Sequence, residues 1–306
     1  MSFKLSRRAF LGQSIKAGVT AAVLGPVPAS LRAIEPINRP GKPRFLLSLA
    51  AYSFRDSFNA PDPAKRIDLF KFIDYCAEHG CHGTELTSYY FPQPPSDDFL
   101  RQIKRHVYLR GLAISGTAVG NNFALPPGEK RDEQIQMVKR WIDHSAVMGA
   151  PHIRVFAGPA PKGMTESEAR KLCISALEEC CDYAAQKGIF LGLENHGGIV
   201  AEADGLLAIV KAINNPWLGI NLDTGNFRTK DPYGDLERCA PYAVNVQFKV
   251  NVHQDADKKG ADFPRLFDIL KRANYQGYVA LEYEAAEDPW VAVPRLLRQM
   301  RELINA

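Results

Sequence analysis

No long hydrophobic run interrupts the 306 residues; the apolar stretch near the start, Ala17 to Val27, is too short to span a bilayer, which takes about 20 residues. A stable membrane anchor is therefore not expected. Cysteine is sparse, and the spacing of Cys76, Cys81, Cys173, Cys180, Cys181 and Cys239 makes no metal-binding motif. Most lie in helical patterns, where small buried thiols are common. No Gly-x-Gly-x-x-Gly follows any strand-like run, so the dinucleotide fingerprint of an open doubly wound sheet is missing. A lasting excess of positive charge is missing too. Lys4, Arg7, Arg8, Lys16 and Arg32 precede Ile34 with no acid among them, and removing those five charges from the formal +4 leaves −1. Such a balance argues against a nucleic-acid partner held through phosphates.

Those early residues read as an address. Ser6-Arg7-Arg8-Ala9-Phe10-Leu11 leads the short apolar run, and Val27-Pro28-Ala29 supplies small residues for cleavage. The pattern predicts a twin-arginine signal peptide over 1–33, recognised by the twin-arginine translocase and removed on export to the periplasm. A Pro-rich linker over 34–43 follows, and residues 44–306 form the folded domain.

Within that domain, apolar strand-like runs alternate with amphipathic helical patterns. Strands are expected at Phe45–Ala51, Gly83–Leu86, Leu112–Ala118, His152–Phe156, Ile189–Leu193, Leu218–Leu222, Ala243–Phe248 and Tyr278–Leu281. Helices are expected at Pro63–His79, from a Ser96 cap to Arg110, at Glu129–Met148, from a Thr165 capping box to Lys187, at Ala203–Ile213, around Phe263–Ala273 and at Pro289–Ile304. Helical crossovers between successive strands imply parallel pairing, and eight units close into an α/β fold, a single (β/α)8 TIM barrel.

Chemistry in such a barrel collects at the carboxyl ends of the strands. The clearest end is Leu191-Gly-Leu-Glu-Asn-His-Gly-Gly198, where an apolar run stops in a carboxylate, an amide and an imidazole. Burying those groups is costly without partners. Other strand ends offer Tyr52, Glu85, Asn122, Arg154, Asp223, Asn226, Gln247, Lys249 and Glu282, with Glu284 two residues on. Glu194, Asp223 and Glu282 end strands five, six and eight on one rim. Three clustered acids repel one another unless a cation or protons intervene, and hard oxygen donors suit one divalent metal such as Mn, Mg, Co or Zn.

At Leu193-Glu-Asn-His-Gly197, Asn221-Leu-Asp-Thr-Gly-Asn226 and Leu281-Glu-Tyr-Glu284 the chain resembles the xylose isomerase-like barrel family of sugar isomerases and epimerases. The resemblance covers nearly everything after residue 44. It implies a divalent metal held by Glu194, Asp223, Glu282 and a fourth residue. There the family commonly reads His-x-Lys-Asp, and this chain has Gln247-Phe-Lys249-Val250. Asn226 stands where sugar epimerases often carry a substrate-binding His, and His253 lies near the place of their substrate Arg. The resemblance further implies Glu194 and Glu282 as catalytic bases on two faces of a keto-sugar, with Asp223 mainly a ligand. Lys249 and His196 would neutralise the developing oxyanion, and Tyr52, Arg154 and Asn122 would hold substrate hydroxyls. An enediolate formed by proton transfer follows from that arrangement. Three readings stand beside isomerisation: a lyase or glycoside-cleaving enzyme on a 3-keto-sugar, a silent sugar-binding barrel, and a cutter of abasic DNA, which would need several more His ligands. Substrate, metal identity and oligomeric state are left open.

Overall fold

The computed structural model describes residues 34–255 and 257–306; the expected signal peptide lies outside the described residues. Eight parallel strands, Arg44–Ala50, Gly83–Thr87, Ala113–Ala118, His152–Val155, Phe190–Glu194, Leu218–Asp223, Ala243–Phe248 and Gln276–Leu281, close a barrel. Each pairs with its neighbours in sequence order, and the first pairs with the eighth from Arg44↔Gln276 to Leu49↔Leu281. The (β/α)8 expectation is met, with strand limits displaced by at most two residues.

The helices begin where their capping chemistry places them. Ser96 accepts from the Phe99 N–H at 3.2 Å. Thr165 and Glu168 form a reciprocal capping box, the Glu168 carboxylate taking the Thr165 N–H at 2.9 Å. Gly188 ends that helix with φ +69°, a left-handed conformation that glycine adopts without a Cβ penalty. The first long helix starts later than expected, at Leu69–Glu78 rather than Pro63, because Asp68 caps it by accepting from Lys71 N–H at 2.8 Å. Pro63 opens only turns.

Two elements had no counterpart in the sequence reading. Pro232–Cys239 is a helix between strands six and seven, short but capped by Asp231 and opened by a proline at its first turn. A three-stranded sheet of Arg228–Thr229, Asn251–Gln254 and Asp257–Gly260 rises beside the barrel mouth.

Alternation along the strands decides what faces the interior. Phe248 packs outward against Phe263 and Phe267 of the helix Phe263–Arg272, ring centroids 4.9 and 5.1 Å away. Gln247 and Lys249 on either side of it therefore point inward. Leu222 likewise faces outward, and Asn221 and Asp223 inward. All six cysteines are buried free thiols. Among the described residues no helix is long and apolar enough to cross a membrane.

Candidate active site

The segment after strand five is pinned from two sides. Asn195 donates its side-chain amide to the Asp223 carbonyl and accepts from the Asp223 N–H, both at 2.9 Å. This two-way bond clamps the ends of strands five and six together and fixes Glu194 beside Asp223. Gly198 follows at φ +55°, and a Cβ there would lie 2.6 Å from the Gly158 carbonyl oxygen, so the turn requires glycine.

Glu194 and Glu282 line one cavity of about 220 Å³ at the barrel mouth, at the small end of ligand sites and suited to a monosaccharide-sized molecule. Glu284 joins them there, as do the cations Arg154 and Lys249. The walls are the rings of Tyr52, Tyr89, Phe156 and His196. Apolar ring faces beside charged groups suit a polyhydroxylated ligand with C–H faces to cover.

Each acid has a definite surrounding. Glu194 Oε2 lies 3.0 Å from Arg154 Nε, and its Oε1 accepts from Asn226 Nδ2 at 2.8 Å. The Arg154 contact is close but poorly aligned as a hydrogen bond. Arg154 is itself held by the Val119 carbonyl at 2.9 Å and lies 3.8 Å over the Phe156 ring. Burial pushes the Glu194 carboxyl well above the usual range, with the neighbouring acids Asp223 and Glu282 adding to it. Lys249 Nζ donates to Glu282 Oε1 at 2.6 Å, donates to Glu284, and lies 3.4 Å from Asp223 Oδ2. Asp223 is wholly buried and its carboxyl is raised to about 7, chiefly by burial and against the pull of Lys249. His196 is lowered by burial and by Arg154, which keeps the imidazole neutral.

Six expected residues thus meet in one cavity: Tyr52, Arg154, Glu194, His196, Lys249 and Glu282. Asn226 touches Glu194 from an adjoining chamber of about 330 Å³, which it lines with His253 and the cations Arg55, Arg228 and Lys258. Three expected residues lie elsewhere. Asn122 builds its own loop, its Oδ1 accepting from Ala124 N–H at 2.9 Å. Glu85 and Gln247 sit deeper in the barrel. Gln247 donates to Glu85 Oε1 at 2.6 Å and accepts from Asn221 Nδ2 at 2.7 Å, while Asn245 bridges Glu85 and Asn221 at 2.8 Å each. Reading the sequence had already taken Glu284 from the end of strand eight but left Tyr89 and Phe156 outside the candidate set. Phe156 was findable, since it follows Arg154 by two and shares its face. Tyr89 sits in a 3-10 turn past strand two, where no periodicity points to it.

A divalent ion would need several of these oxygens converging with free lone pairs. Among the described residues no group of three or more His, Cys, Asp or Glu side chains is placed to hold one. Gln247, the expected fourth ligand, is engaged at both ends by Asn221 and Glu85. The Lys249 ammonium already lies among Asp223, Glu282 and Glu284. The residues present do not fit a divalent ion.

Glu85 carries a stability prediction. Burial raises its carboxyl to about 7 from an ordinary 4.5. The stability this group contributes is then present below about pH 4.5 and lost as the pH rises through 7, a change of about 3 kcal/mol. Unfolding free energies measured across that window should fall more steeply for the native chain than for Glu85→Gln, whatever the variant's absolute stability.

Comparison with known proteins agrees with this architecture. Residues 73–300 match the family described as xylose isomerase-like TIM barrel, whose members typically use a divalent metal. An inosose isomerase of Halalkalibacterium halodurans is 22% identical over 250 residues, spanning 74% of this chain and 86% of that protein. A 3-oxo-isoapionate decarboxylase of Pectobacterium atrosepticum is 26% identical over 206 residues, 66% of this chain and 67% of that protein. Among solved structures, the 3-keto-D-glucoside 4-epimerase of E. coli superposes with a TM-score of 0.64 at 18% identity, over 85% of this chain and all of that one.

Proposed function

Since the chain belongs to the xylose isomerase-like TIM barrel family, we propose that it is a sugar isomerase or epimerase that moves a proton at the carbon beside the carbonyl of a keto-sugar. The observation that carries this reading is the pairing of Glu194 and Glu282 in one small cavity, each beside its own cation. Their surroundings differ, and that difference divides the labour. Glu282 takes the proton from the carbon. Electrons move onto the carbonyl oxygen, giving an enediolate whose charge faces Arg154 and Lys249. Glu194, whose carboxyl burial biases toward the protonated form, returns a proton from its own side of the cavity. Return to the opposite face of the same carbon inverts it, and return to the neighbouring carbon isomerises the sugar. Tyr52 and neutral His196 are placed to hold hydroxyls.

The test is a panel of keto-sugars in deuterated water, followed by proton NMR. Deuterium is expected at the carbon beside the carbonyl, together with a new isomer. The decarboxylase relative favours a second reading, in which the enediolate arises by loss of a carboxyl or another substituent. A released group in place of a new isomer would establish that one. Binding of sugars with neither exchange nor product would make the protein a silent sugar-binding barrel.

Export belongs to the same proposal and rests on Ser6-Arg7-Arg8 before a short apolar run. Changing Arg7 and Arg8 together to lysine is expected to keep the protein in the cytoplasm with residues 1–33 uncleaved. Cell fractionation and the mass of the product read the result, and undiminished export would overturn it.

A further inference from the structure

The floor of the cavity is built to hold one side chain in place. Thr224 Oγ1 accepts from the Lys249 N–H at 2.8 Å, and the Thr224 N–H donates to the Gln247 carbonyl at 3.0 Å. Next to it, a Cβ on Gly225 would stand 2.5 Å from the Asn251 carbonyl oxygen and 2.8 Å from Lys249 Cβ. Only glycine lets the chain beyond strand seven approach so closely. Asp223-Thr-Gly225 thus delivers the ammonium of Lys249, a residue 7% exposed, to three carboxyl groups carried by strand six and by the end of strand eight. Lysine is rarely buried unless it is paired.

We propose that Lys249 takes the place of a divalent cation in this chain, so that the ammonium, without a metal, draws the acids together and faces the developing oxyanion. The reading rests on the proton-transfer function argued above and says which charge serves it. One departure in the sequence fits this view, while Lys249 is the lysine that the resembled His-x-Lys-Asp pattern already carries. Gln247 turns down into the amide network with Asn221 and Glu85, offering no imidazole at the mouth. The lysine two residues later then supplies the positive charge.

Four carboxyl groups, Glu194, Asp223, Glu282 and Glu284, share the site with Arg154 and Lys249. Asp223, Glu282 and Glu284 surround the Lys249 amine and favour its charged form. A charged ammonium can donate to an oxyanion but cannot attack the substrate carbonyl, so its part is electrostatic.

The test uses the full chain stripped with a strong chelator and titrated with Mn²⁺ alone, free Mn²⁺ being read by electron paramagnetic resonance. The native protein is expected to show no saturable binding up to about 1 mM, with its thermal midpoint unmoved. Lys249→Ala, which leaves the acids and opens the place between them, is expected to bind Mn²⁺ and to gain thermal stability from it. One tightly held Mn²⁺ per native chain would overturn the proposal, as would a folded Lys249→Ala that gains no affinity. If Lys249→Ala fails to fold, the native titration decides alone. Neither readout depends on the substrate. Mn²⁺ binding by the native chain would leave the proton-transfer reading standing, and a failed deuterium exchange would leave the Mn²⁺ result standing.

Discussion

Glu194→Gln is expected to slow turnover by about 10²- to 10⁴-fold, the ordinary worth of a positioned acid or base, while the fold survives. The reason is the state of the native side chain. Burial raises the Glu194 carboxyl and favours its protonated form, and Glu194→Gln puts a neutral amide of the same shape beside Arg154 and Asn226. What is lost is the proton. Glu282→Gln is expected to cost as much in turnover, yet to differ in two respects. It removes a carboxylate that accepts from Lys249 at 2.6 Å, so stability should drop by about 1–3 kcal/mol. It also removes the group that takes the proton from carbon. Solvent deuterium should therefore still enter the substrate with Glu194→Gln and fail to enter with Glu282→Gln. NMR on a substrate the native protein turns over checks both. Near-native rates in the two variants would make both residues structural and end the proton-transfer mechanism.

The eight strands could be read from the sequence because each is an apolar run bounded by polar or glycine punctuation, and a long crossover helix leaves little choice of topology. Pro232–Cys239 escaped because eight residues hold too few turns to display a period. The small sheet at the mouth escaped for a different reason. Arg228–Thr229 and Asp257–Gly260 are polar and largely exposed, so burial leaves no hydrophobic alternation to detect. The acids at the mouth were legible for the same reason as the strands, since a charge that ends an apolar run needs a partner. The identity of that partner was not. A sequence lists Lys249 two residues after Gln247, but only the barrel's closure shows its ammonium against Glu282 and Glu284, about 35 residues later in the chain. Glu85 meets Gln247 from the other side of the ring, 162 residues away. Contacts of that span depend on register and shear, which no local pattern encodes.

His152 shows the same limit and carries the second large prediction. The sequence places it at the start of a strand, with nothing to distinguish it. In the barrel its ring is buried between strands three and five, where a Cβ on Gly116 would stand 2.7 Å from Nδ1 and one on Gly192 would stand 2.3 Å from Nε2. Among the described residues neither ring nitrogen has a hydrogen-bond partner. Burial, with a further push from Arg154, lowers the imidazole from 6.5 to about 3. A depressed base contributes stability that is present above its unfolded pKa and lost as the pH falls toward its folded value. The loss should begin near pH 6.5 and reach about 3 kcal/mol by pH 4, at 1.36 kcal/mol per pH unit. Against the 5–15 kcal/mol that typical domains have in all, one imidazole then makes the barrel acid-sensitive. Urea unfolding at pH 7 and pH 4 should show the native chain losing about that much more than His152→Leu, which fills the same space and takes no proton. Equal losses in the two proteins would mean that water reaches the ring, and the acid sensitivity would have to come from elsewhere in the chain.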